Sequence, residues 1–267
     1  MHYELNLTVP KSWNDLRQTQ LRFLYHTMAM SNLQNSKFKI QNFWASVAVT
    51  CILKWNRLKK LSPYADGFLF KINKRPTTKD QRPKTNDQRP TFQITNSQLA
   101  DLAFTMEWIR EPSPVPVRLK YIDGAEAMPA DLSEGMTFEE WLACENLWQG
   151  YQATQDDTLL REMAAILYHK PDIRLAPHES ISIFYWWASV KIMMPQRFPH
   201  FFRPASGIQN STFNTQNSQM NAQIRALTKG DVTKEAQILA LDAMRALTEL
   251  DALAREYEEL NRKYPKK

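Results

Sequence analysis

At 267 residues and 43% hydrophobic content the chain can bury a sizeable core, and 6 Gly against 15 Pro leave too few glycines for the phosphate-cradling loops of dinucleotide-binding or P-loop proteins. The net charge of +6 is unevenly spread: residues 1 to 90 carry 16 Lys and Arg against 5 Asp and Glu, and the remainder carries 18 against 23. Such asymmetry is compatible with a nucleic-acid surface, with complementary faces of a self-assembling protein, or with a plain solvated surface.

Residues 1 to 9 alternate apolar and polar (Tyr3, Leu5, Leu7, Val9), which predicts a short strand or extended arm ended by Pro10. Trp13, Leu16, Leu21, Leu24, Tyr25 and Met28 then form a helical stripe, and a second runs from Ile40 through Trp44, Val47, Cys51 and Trp55 to Leu58. The second helix is expected to end in Arg57-Leu58-Lys59-Lys60, cations suited to the negative end of the macrodipole. Phe68 to Ile72 and Phe92 to Ile94 read as the two strands of a small hairpin. The polar spacer between them repeats Asp80-Gln81-Arg82-Pro83 as Asp87-Gln88-Arg89-Pro90. Downstream, Gln209-Asn210-Ser211 recurs as Gln216-Asn217-Ser218, and both duplicated segments are expected to be exposed and dispensable for folding.

Thr95 and Gln98 form a capping box that starts a helix stopped by Pro112, after which Val117 to Ile122 is expected to cross in extended form. A second capping box, Thr137 with Glu140, opens a stripe of Phe138, Trp141, Leu142, Trp148 and Tyr151. A turn at Ala153 to Asp157 leads to another stripe of Leu159, Leu160, Met163, Ile166 and Leu167. This is a helical hairpin with two apolar faces, in which Trp148 is expected to be core. The next helix opens at Pro177, is apolar nearly all round, includes Trp187 as a core residue, and is expected to end at Pro195. From Ala236 the residues Ala240, Ala243, Leu247, Leu250, Ala254, Tyr257, Asn261 and Tyr264, all but Asn261 apolar or aromatic, follow steps of four and three. That seam predicts one long heptad helix of roughly 45 Å, at 1.5 Å per residue.

The expected fold is therefore mainly α, a bundle of about seven helices with a small β-hairpin. The expected division is a helical core over residues 1–204 with the hairpin inserted at about 68–94, a polar linker over 205–222, and a C-terminal helical segment over 223–267. The longest apolar runs, Trp44 to Leu53 and Ile181 to Met194, fall short of the roughly 20 residues that span a bilayer. No basic stretch followed by an apolar core opens the chain, and a cytoplasmic protein is expected.

No chemistry-bearing constellation emerges. None of the histidines stands in an HxxxH, HxH or HExxH relation, so no metal site is expected, and no GxSxG elbow marks a catalytic serine. Asp156-Asp157 reads as the acidic start of a helix, and Cys51 and Cys144 read as reduced core residues. The chain is expected to be neither an enzyme nor a cofactor protein. Two binding surfaces stand out. One is the seam, with Leu247, Leu250, Ala254, Tyr257, Leu260 and Tyr264 named for a protein partner or a second copy. Its first half, where Ile238, Leu239 and Leu241 widen the apolar face, is expected to be internal, and the part beyond Leu253 to face the partner. The alternative is a nucleic-acid module built on Lys71, Lys74, Arg75, Lys79, Arg82, Lys84 and Arg89, with Phe68, Phe70 and Phe92 as rings for base stacking.

The segments LTVPKSWNDLRQTQLRF, MTFEEWLACENLWQGYQATQDDTLLREMAAILY, WWASVKIMMPQRFPHFF and IRALTKGDVTKEAQILALDAMRALTELDALAREYEE together resemble helical proteins encoded by phages and prophages of Bacteroides-type bacteria, often beside tail genes. The resemblance covers most of the chain, and the two duplicated spacers depart from it. It implies a role in tail morphogenesis, as an assembly chaperone or minor structural component. The implied partners are tail proteins such as a tape-measure protein, in the cytoplasm of the bacterial host or within the virion. It supplies no catalytic residues.

Overall fold

The computed structural model describes residues 5–34, 43–72, 91–202 and 213–264. The fold is mainly helical with small antiparallel sheets, and the chain forms two compact units, Met1–Glu111 and Pro112–Lys267. The division expected near residue 204 falls inside the second unit, because its last helix packs against its first.

In the first unit, α1 (Gln18–Gln34) lies against α2 (Phe43–Trp55). Leu21, Leu24, Tyr25 and Met28 of α1, and Val47, Ala48, Cys51 and Ile52 of α2, are all buried, and they recur at the three- and four-residue steps that put side chains on one helical face. Trp13, in a 3-10 turn, stacks on Tyr25 with centroids 6.0 Å apart and meets Trp108 edge-on at 5.4 Å. Its indole N–H donates to the Glu111 carbonyl at 3.0 Å, which ties the start of the unit to its end.

The expected helical run through Lys60 does not form. The Asn56 side chain donates to the Ile52 carbonyl at 2.9 Å, pairs with both backbone groups of Thr8 at 2.8 and 3.0 Å, and is followed by Arg57 at a left-handed φ of 57°. The helix therefore stops and the chain leaves as β1 (Leu58–Tyr64). With β2 (Gly67–Ile72) and β3 (Thr91–Thr95) it makes a three-stranded antiparallel sheet in the order β1-β2-β3, where a two-stranded hairpin was expected. A Cβ at Gly67 would stand 2.2 Å from the Ile94 carbonyl oxygen, so only glycine permits β2 and β3 to approach this closely. Leu58, Phe70 and Ile94 are buried under the sheet, with Leu5, Leu7 and Leu99 packed around them. β3 turns directly into α3 (Asn96–Phe104) through the expected capping box of Thr95 and Gln98. The spacer Asn73 to Arg89 lies outside the described residues.

The second unit opens with a hairpin absent from the sequence reading, β4 (Tyr121–Ile122) and β5 (Ala125–Glu126), turned by Asp123 and Gly124 at φ 47° and 77°. Positive φ at both central residues defines a type I′ turn, for which Asp-Gly is a favoured pair. Lys170 holds this turn from outside, its ammonium 2.7 Å from the Asp123 carbonyl and 2.8 Å from the carboxylate. The helical hairpin forms as expected from α4 (Phe138–Thr154) and α5 (Asp157–Leu167). Gln155 at φ 57° ends α4, and Asp156 caps α5 by accepting from the Thr158 N–H at 2.9 Å. Then α6 (Pro177–Arg197) runs past Pro195, which sits in its last turn and removes a single ladder hydrogen bond.

Trp141 of α4 and Trp187 of α6 meet at 5.3 Å in the core, both almost fully enclosed. Trp186 donates to the Ala130 carbonyl at 2.7 Å, and the Tyr168 hydroxyl donates to the Leu119 carbonyl at 2.6 Å. Trp148, expected in the core, is only half-buried and lies against Phe184 at 5.3 Å. Residues 209–212 lie outside the described residues, while from Phe213 the second spacer is helix, the start of α7 (Phe213–Thr228).

The expected continuous seam helix is broken. A short α8 (Glu235–Leu239) ends before Leu241, and α9 (Ala243–Lys263) starts afresh, its 21 residues amounting to about 32 Å at 1.5 Å per residue. The break has a tertiary cause. The Phe138 N–H donates to the Leu241 carbonyl at 2.7 Å, and the Ala243 N–H donates to the Met136 carbonyl at 2.9 Å. Thr137 and Asp242, the caps of α4 and α9, are thereby joined in an antiparallel bridge.

Candidate protein-binding surface

The surface is built from α9 outward. Asp242 accepts from the Arg245 N–H at 3.0 Å and fixes where the helix begins. Ala243, Ala246, Leu247 and Leu250 then fall on one face, and all are buried, Leu247 completely. One turn on, the Asp251 carboxylate accepts from the backbone N–H groups of His200 and Phe201 at 2.8 and 2.9 Å. The Glu258 carboxylate lies 3.1 Å from the His200 ring nitrogen Nδ1. These contacts hold the middle of α9 against the segment that follows α6.

Beyond them the environment reverses. Every residue from Glu259 to Tyr264 is exposed, as are Arg255 to Tyr257. Tyr257, Leu260 and Tyr264 nonetheless keep the apolar spacing of three and four, with relative exposures of 62%, 57% and 66%. Glu256, Arg262 and Lys263 surround them, the two cations lying in the last turn where the macrodipole favours them. The seam residues named from the sequence therefore divide. Leu247 and Leu250 belong to the unit's own core, Ala254 is half-buried, and Tyr257, Leu260 and Tyr264 face solvent. What the sequence reading missed is the bridge at Leu241 and Asp242, which decides where the helix starts and which part of it is covered.

Of the basic residues named for nucleic acid, Lys71 is described and the other six lie outside the described residues. Lys71 sits on β2 directly opposite Lys59 of β1. Phe70 is buried, and the Lys60 ammonium stands 3.3 Å above the centre of the Phe68 ring. Phe70 thus offers no face to a base, one face of Phe68 is taken by the ammonium, and Phe92 is half-buried on β3.

The remaining chemistry is that of structural groups. Burial pushes the Cys51 thiol up to about 12, and burial raises Cys144 well above its ordinary value, so both are thiols rather than nucleophilic thiolates near neutrality. Hydrogen bonds from Thr158 hold the Asp156 carboxyl below the usual range, as an N-cap requires. Among the described residues no three His, Cys, Asp or Glu side chains converge as metal ligands, and no helix is long and apolar enough to cross a membrane. No family model, no characterised protein and no solved structure matches this chain.

Proposed function

We propose that the protein acts by binding another protein through the last turns of α9, as an assembly chaperone or minor structural component in phage tail morphogenesis. The observation that carries this reading is the exposed stripe of Tyr257, Leu260 and Tyr264, an apolar line continuing a buried seam past the point where its own unit covers it. Aromatic and leucine side chains at helical spacing are what a groove or a partner helix recognises. A tape-measure protein, with long apolar helical faces to be shielded before assembly, is the implied partner.

The test is retrieval of tagged protein from phage-producing cells, comparing the parent chain with the triple variant Tyr257→Ser, Leu260→Ser, Tyr264→Ser. Tail proteins should accompany the parent and be lost from the variant, with the melting curve unchanged. Retrieval of the same tail proteins by both, or of nucleic acid rather than tail proteins by the parent, would overturn the reading.

A further inference from the structure

The two edges of the three-stranded sheet are built differently. β1 carries Lys59 and Lys60, a register shift between Lys60 and Ser62, and Pro63, all of which discourage another strand from adding to it. β3 reads Thr-Phe-Gln-Ile-Thr, without charge, proline or bulge. Its hydrogen-bonding phase follows from one contact. The Asn96 N–H donates to the Asp66 carbonyl at 2.9 Å, and these residues extend the β2–β3 register by one pair. Since bonded and non-bonded pairs alternate along an antiparallel ladder, Phe92 and Ile94 bond inward to β2, and Gln93 turns its backbone N–H and C=O outward.

Beside that edge, which no strand among the described residues covers, lies a groove of about 660 Å³, walled by Leu5 and Leu7 of the N-terminal arm, Phe92 and Ile94 of β3, and Leu102 of α3. The arm is held in place by the paired hydrogen bonds between Thr8 and Asn56. Asp101, exposed, is the charged group of the lining.

We propose that this edge and groove bind an extended segment of a partner protein by strand addition. The backbone of Gln93 pairs with the segment, alternate apolar side chains enter the groove, and a Lys or Arg of the segment meets Asp101. The acid selects this occupant over a second copy's β3, which contains no cation. The site belongs to the first unit, whereas the stripe on α9 belongs to the second.

The probes are synthetic heptapeptides alternating Val with Thr and carrying one Lys, compared with the same peptides carrying Glu, and binding is read by fluorescence anisotropy. The Lys peptides should bind about tenfold or more tighter than the Glu peptides, with the preference reversed by Asp101→Lys. N-methylation of alternate peptide amides should weaken binding at least about tenfold with the protein untouched. Gln93→Pro should do the same, since it removes an outward N–H and no ladder bond, with circular dichroism confirming the fold. Failure of both peptide sets to bind, or indifference to N-methylation, would overturn the proposal. So would a dimer in sedimentation that Gln93→Pro converts to monomer, which places a second copy on the edge. Binding that appears only after deletion of residues 1–4 would assign the groove to the chain's own start.

Discussion

Leu250 and Tyr257 stand two turns apart on one heptad line of α9, yet the first is 4% exposed and the second 62%. Spacing alone ranks them as equals, since a heptad records which residues share a face and says nothing about what covers that face. Cover comes from elsewhere in the chain. α4 lies beside the early turns of α9, Asp251 binds the backbone at His200 and Phe201, and the exposed turns run on past Glu258. The same apolar pattern therefore serves stability at one end of a helix and leaves a surface open at the other.

The contrast can be broken by substitutions ordered along it. Leu247→Asp places an unpaired carboxylate where no solvent reaches and should cost on the order of 4 kcal/mol or more, abolishing the cooperative melting transition seen by circular dichroism. A folded variant would show that the early seam is not core. Leu250→Ala should cost about 3 kcal/mol in denaturant unfolding, the transfer loss plus the cavity left behind. Asp242→Ala removes the cap that receives the Arg245 N–H and should cost about 1 kcal/mol, sharpening the comparison by loosening the start of α9 without touching its apolar face. Tyr257→Ala should change stability by less than about 0.5 kcal/mol, because truncating an exposed ring leaves no cavity. A melting loss of several degrees for Tyr257→Ala would mean that the late seam is covered after all.

What was legible in the sequence is what short-range chemistry decides. Both capping boxes, Thr95 with Gln98 and Thr137 with Glu140, form as read, because a hydroxyl and an amide or carboxylate three residues apart suffice to define them. The turn at Gln155 and Asp156 and the burial of Trp187 follow equally from local pattern. β1 was lost because Leu-Lys-Lys resembles a charged helix end, and the contact that stops α2, between Asn56 and Thr8, joins residues far apart in the chain. The Asp123-Gly124 hairpin was overlooked because its two-residue strands are too short to alternate. In the candidate surface, Tyr257, Leu260 and Tyr264 were legible as a stripe. The burial of Leu247 and Leu250 agrees with the internal first half expected of the seam and removes both from the partner residues, while the bridge between Thr137 and Asp242 that fixes their cover was not legible.

That bridge also sets a timetable for biosynthesis. Translation delivers Thr137 and all of α4 well before Asp242, with α5, α6, α7 and α8 emerging in between. Until the ribosome has released Leu241 to Ala243, the Phe138 N–H and the Met136 carbonyl have no strand partner, and the side of α4 that α9 covers stays uncovered. The second unit is therefore sealed only once α9, the last of its helices to be made, has left the ribosome. A message truncated before α9 leaves a second unit whose remaining five helices, α4 to α8, cannot close, and such a product is expected to be captured by chaperones or degraded rather than to accumulate.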